Sequence, residues 1–163
     1  MKYLKSITEL LNEKIEAYPV RLVSGSDDFL VKYEFEDIEG NRYLVQFKND
    51  SIGPKSNPIL GKSYEMAYFA WDDDVDDWNV NKMVSSNPYS TLKTIFENIL
   101  KDFLKNREWV KSLWFEGLAK EQEKGFITQR TKLYLRHLKN NPIEGFKVEN
   151  WGNNKITLIR KNI

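Results

Sequence analysis

The sequence predicts an α+β domain: a twisted, mostly antiparallel sheet of six to eight strands, a long central helix packed on one face, and a second, C-terminal helix beside it. Three observations predict this. From Ser90 to Asn106 the apolar residues Leu92, Ile95, Phe96, Ile99, Leu100, Phe103 and Leu104 recur at helical spacing. Before it, Phe29, Val31, Tyr33 and Phe35 alternate strictly, as do Tyr43, Val45 and Phe47, which is the period of half-buried strands. After it, the short apolar run VKSLWF, Val110 to Phe115, precedes a helical segment from Thr128 to Asn140 containing RTKLYLR. One parallel pairing is expected around Val110 to Phe115.

In chain order, Ser6-Ile7-Thr8-Glu9 fits a capping box, and Leu4, Ile7, Leu10, Leu11 and Ile15 form an apolar stripe, so the chain opens with a short amphipathic helix. Tyr18-Pro19 ends it. Pro19 to Ser24 is a short first strand, and Gly25-Ser26-Asp27-Asp28 is a turn. The two alternating runs form a hairpin through Asp37-Ile38-Glu39-Gly40-Asn41. Asn49 to Lys62, with Gly53, Pro54 and Pro58, is an exposed connection. Tyr64, Met66, Tyr68 and Ala70 continue as a strand, Asp72 to Asp77 is a solvated hairpin tip, and Trp78, Val80 and Met83-Val84 lead back. Asn87-Pro88-Tyr89-Ser90 is the break and cap before the central helix. Gly117 to Gly125 is polar and reads as a mobile loop. Asn140-Asn141-Pro142 stops the second helix, and Phe146 to Trp151 pairs with Lys155 to Arg160 through Gly152-Asn153-Asn154. With no repeat or linker, residues 1–163 read as a single α+β domain.

Composition excludes several functions. Lys and Arg number 25 against 24 Asp and Glu, a net charge of +1, so the chain as a whole lacks the electrostatic footprint of a generic nucleic-acid binder. There is no cysteine, which removes disulfides, thiol nucleophiles and thiolate metal sites. Charges interrupt the N-terminal segment every few residues, and no stretch approaches a membrane span, so the expectation is a cytoplasmic protein with no membrane partner.

Few motifs survive their context. Ser56 to Ser63, SNPILGKS, differs from a phosphate-binding loop by a Ser in place of the first Gly, but a strand follows it where a helix is needed, and Pro58 removes a donor. Asp72, Asp74 and Asp76 have the spacing that opens a calcium loop, yet Asp77 stands where Gly is required and Met83 where Glu is required. His137 is the only histidine and reads as a half-exposed helix residue, so no metal is expected. Gly-x-Ser-x-Gly is absent, and Glu116, Glu121 and Glu123 amount to no more than the pairs that so many acids produce by chance. Arg130, Lys132, Arg136 and Lys139 interleave with Tyr134 on one helix. They form either a basic face for phosphate, an acidic protein surface or RNA, or a solvated face whose stems cover the core edge. Tyr64, Tyr68, Trp71 and Trp78 are candidates for an exposed aromatic patch that would bind a protein partner.

The order strand, helix, strand, helix, hairpin in the C-terminal half resembles that of the Gcn5-related N-acetyltransferases. Leu133-Tyr134-Leu135-Arg136 followed by Gly145-Phe146 is similar to that family's late-helix pattern, at a longer spacing. The resemblance implies that Tyr134 is a general acid for a departing thiolate. It also implies a Gly-rich turn for the coenzyme A pyrophosphate before the central helix. Here that turn is Ser85-Ser86-Asn87-Pro88-Tyr89-Ser90-Thr91, without glycine, so no cofactor is expected to bind. A second resemblance covers most of the chain. Tyr33-x-Phe35, Gly40-x-x-Tyr43-x-Val45-x-Phe47, Tyr64-x-Met66-Ala67-Tyr68, the helix from Thr91, the strand ending at Phe115 and Arg130-x-x-Leu133-Tyr134 look like small proteins of tailed phages and related mobile elements. This resemblance implies an accessory protein of the host cytoplasm that binds a host or viral partner. With neither a nucleophile–base pair nor a cofactor loop, a noncatalytic interaction protein ranks first. An acyl-CoA-dependent transferase using Tyr134 ranks second, and an RNA or phosphate binder using the Arg130 to Lys139 helix third.

Overall fold

The computed structural model describes residues 17–24, 27–79, 88–116 and 129–162. The expected N-terminal helix before Tyr18, the strand residues Val80 and Met83-Val84, the cap residue Asn87 and the loop from Gly117 to Gly125 lie outside them. Four strands come first, β1 (Val20–Ser24), β2 (Leu30–Glu36), β3 (Arg42–Asn49) and β4 (Ser63–Asp72), each antiparallel to the one before. A short strand, β5 (Asp77–Asn79), folds back on the end of β4. Pro88–Lys93, Thr94–Ile99 and Leu100–Lys105 run on as one helix, α1. Then come β6 (Ser112–Glu116), α2 (Gln129–Asn140) and the hairpin β7 (Phe146–Asn150) and β8 (Lys155–Arg160). The strands form one mixed sheet of eight in the order β1-β2-β3-β4-β6-β8-β7, with β5 beside β4. The parallel pairing falls between β4 and β6, joined by the α1 crossover.

Strand alternation sets the core. Val31, Tyr33 and Phe35 of β2, Tyr43, Val45 and Phe47 of β3, and Tyr64, Met66 and Ala70 of β4 are buried with Leu113 and Phe115 of β6 and Ile156 and Leu158 of β8. Helix α1 covers them with Leu92, Ile95, Phe96, Ile99, Leu100 and Phe103, the positions its periodicity predicts, and α2 adds Tyr134 and Leu138 to the same cluster. Phe103 stacks on Phe47 at 4.0 Å, and Phe96 meets Phe115 at 5.4 Å and Tyr134 at 6.0 Å.

Three boundaries differ from expectation. Helix α1 begins at Pro88, so Pro88-Tyr89-Ser90 is its first turn and not a break; proline there gives up a donor that the helix start leaves unused anyway. Val110 precedes β6, because its N–H donates to Arg107 O in a turn, and the bond from Lys111 N–H to Lys62 O then leads the chain into the ladder. Trp151 leaves β7 and is 82% exposed at the tip of the last hairpin. No described helix is long and apolar enough to cross a membrane.

Candidate functional site

The β4–β6 pairing is short. It spans Ser63↔Ser112, Tyr64↔Leu113 and Glu65↔Trp114, while among the described residues β5 takes the same edge of β4 at Ala70–Asp72. Met66 to Phe69 therefore have no strand partner on this edge among the described residues, and a cleft of about 260 Å³ opens there. Its walls are the β4 residues Glu65 to Phe69, Trp114, Phe115 and Glu116 of β6, and Ile95 and Phe96 of α1. Helix α2 closes it with Arg130 and Tyr134, which lie one turn apart and so share a face.

Two tyrosines supply the chemistry. Tyr134 is 7% exposed and wedged edge-on against Phe96 and Phe115. Burial pushes its phenol up to about 12, against the pull of the Arg130 guanidinium. Tyr68 ends an aromatic ladder that crosses the sheet: Tyr18 stacks on Phe35 at 6.1 Å, Phe35 on Tyr43 at 4.8 Å, and Tyr43 on Tyr68 at 5.8 Å. Burial raises the Tyr68 phenol too; Tyr134 and Asp37 add to the rise and Arg130 opposes it. Both phenols are therefore neutral near pH 7 and able to donate a proton or a hydrogen bond. Arg130 and the Glu65 and Glu116 side chains add one positive and two negative groups to an otherwise apolar lining.

The predicted site residues separate. Arg130 and Tyr134 face the cleft, whereas Lys132, Arg136 and Lys139 are exposed on the other side of α2, so the four basic residues do not make one face. The aromatic residues do not form one exposed patch either. Tyr64 is fully buried, its hydroxyl donating to Asp28 O, and Tyr68 lines the cleft. Trp71 and Trp78 meet edge-to-face at 5.3 Å under the Arg42 guanidinium. His137 is buried and not half-exposed, because α2 lays its ring on Phe96 at 5.6 Å; its Nε2 has no hydrogen-bond partner among the described residues.

The two decoys have structural explanations. In SNPILGKS, Gly61 donates its N–H to Asn49 Oδ1 and accepts from Asn49 Nδ2, which occupies the backbone groups a phosphate would need. In the acidic turn, Asp72 accepts from the Asp74 N–H and from Asn79 Nδ2, and Asp73 from Trp71 Nε1. Glu65, Phe69, Phe96 and Trp114 were not expected at a site. Strand and helix periodicity marks them only as strand or core positions, and the parting of β4 from β6 leaves no local signal in the sequence. Searches of protein-family models, of curated proteins and of solved structures find no match to the chain.

Proposed function

We propose that the cleft between β4 and β6 binds an acyl thioester and that the protein transfers the acyl group to an amine, as a relative in function of the Gcn5-related N-acetyltransferases. One observation carries the reading: two parallel strands joined by a helical crossover part after three paired positions, beside a buried, neutral tyrosine on the following helix. Glu65 and Glu116 attract the acceptor as its ammonium, which gives one proton to solvent before it reacts. The neutral amine adds to the thioester carbon, Tyr134 gives its phenol proton to sulfur as the carbon–sulfur bond breaks, and the phenolate takes up the proton that the new amide nitrogen sheds.

The lining fits the thioester end of such a donor better than its phosphate end. An apolar cleft with two phenol O–H donors suits the acyl and thioester end of such a donor, whereas the residues before and into α1, Ser85 to Thr91, include no glycine, and Pro88 lacks an N–H. The test is thermal unfolding with acetyl-CoA and S-acetyl pantetheine at millimolar concentration. A ligand at ~100 times its dissociation constant stabilises by ~2.7 kcal/mol, a rise of about 5 to 10 °C for a chain of this size. Tyr134→Phe should keep the rise and slow thiol release to a panel of primary amines at least ~100-fold. No rise with either ligand overturns the proposal and leaves a noncatalytic protein that acts through a protein partner.

A further inference from the structure

Resting on the acyl-transferase reading, we infer that the donor taken by this cleft carries an apolar acyl group well beyond acetyl in size, of medium-chain aliphatic or aromatic type. Exposure along the lining gives the cleft a direction. Glu116 is exposed and Arg130 and Trp114 are half-buried at its mouth, while Ile95, Phe96 and Phe115 are 2%, 2% and 3% exposed at its floor. Among the described residues, Tyr134 against the floor and Tyr68 on β4 bring hydroxyls to the inner lining, and Met66, Ala67, Phe69, Ile95, Phe96 and Phe115 bound the rest of the space past the thioester with carbon and the Met66 thioether.

Size points the same way. A two-carbon acyl group fills about twice the ~30 Å³ share of a liquid water, and an apolar cavity of ~150 Å³ already accommodates benzene. The cleft measures about 260 Å³. Acetyl would leave most of the apolar floor uncovered, whereas a longer chain removes that surface from water. Each methylene buried there should tighten binding about fourfold. Phe96 is held by Phe115, Tyr134 and His137 and forms a fixed end wall, while Met66 is an unbranched side chain able to adapt to chain shape.

The experiment is a calorimetric affinity series on the full chain with S-acetyl, S-butyryl, S-hexanoyl and S-benzoyl pantetheine, repeated with the matching coenzyme A thioesters. The expected result is hexanoyl and benzoyl donors binding at least tenfold more tightly than acetyl in both series, with the gain lost in Met66→Phe, which fills the cleft. Where Met66→Phe lowers the melting temperature of the free protein, Ile95→Phe takes its place. Binding of acetyl donors as tight as the longer ones overturns the size inference and leaves the transferase reading standing. A chain-length gain that persists in both filling variants also overturns it, because the chain then binds elsewhere. No binding by any member of either series overturns both.

Discussion

Gly61 occupies a position where no side chain fits: a Cβ there would meet the Asp50 carbonyl oxygen at 2.1 Å, and the Asn49 side chain bonds both backbone groups of the glycine. Backbone cannot yield as a flexible side chain can, so Gly61→Ala should cost about 3 kcal/mol in urea unfolding. Gly40→Ala should cost only about 1 kcal/mol, because its surroundings are open and only its φ of +83° resists a side chain. Equal losses at the two positions would sink this account. The same glycine explains why SNPILGKS resembles a phosphate loop. Glycine marks a close approach in both, but the sequence does not say whether the approaching oxygen belongs to a ligand or to the chain itself. Tyr134 is the opposite case. Proton donation by it was only what the resemblance of Leu133-Tyr134-Leu135-Arg136 implied, and its burial by Phe96 and Phe115 came from elements distant in sequence.

Helix α1 was legible almost residue by residue, because burying one stripe of a helix requires apolar side chains at its spacing. Its internal geometry was not. Within Thr94–Ile99 the helix widens, Leu100 N–H reaching back five residues to Ile95 O. In that turn Thr94 donates its hydroxyl to Ser90 O at 2.7 Å and accepts the Tyr18 N–H at 2.9 Å, fastening the entry to β1 onto α1. Thr94→Val keeps the shape and removes both bonds, leaving a partly buried donor unsatisfied. A loss of about 1 to 3 kcal/mol is expected, measured by chemical unfolding; a loss below ~0.5 kcal/mol would mean that water replaces the hydroxyl. Helix α2 shows the limit of reading charge along a sequence. At 100° per residue, Arg130 and Tyr134 fall on the cleft side, and Lys132, Arg136 and Lys139 on the solvent side.

At the scale of the whole molecule, pH dependence reports what is buried. Desolvation pushes the Asp37 carboxyl up, but hydrogen bonds from the Asn41 side chain, the Tyr43 hydroxyl and the Asn41 and Glu39 N–H groups outweigh it and hold the group below its ordinary value. Its contribution is complete above the ordinary value and is lost as pH falls through the folded one. His137 is lowered chiefly by burial, with Glu97 opposing and Lys93 assisting. Below its ordinary value of 6.5 the unfolded chain takes up this proton before the folded one does. Stability should therefore decline from about pH 6.5 downward until the folded value is reached. Urea unfolding across pH 5 to 8 should show that decline in the native chain and its absence in His137→Phe; an unchanged slope would place the titrating group elsewhere. By itself the sequence determined the α+β class, the alternating strands, the apolar face of α1 and the expectation of a parallel crossover, because period and punctuation are local consequences of backbone geometry. Only the tertiary structure decided that β4 and β6 part after Glu65 and Trp114, that Tyr68 and Tyr134 both line the gap, and that His137 is enclosed. Cavities and proton affinities arise between elements far apart in the chain, where no window of sequence records the distance between them.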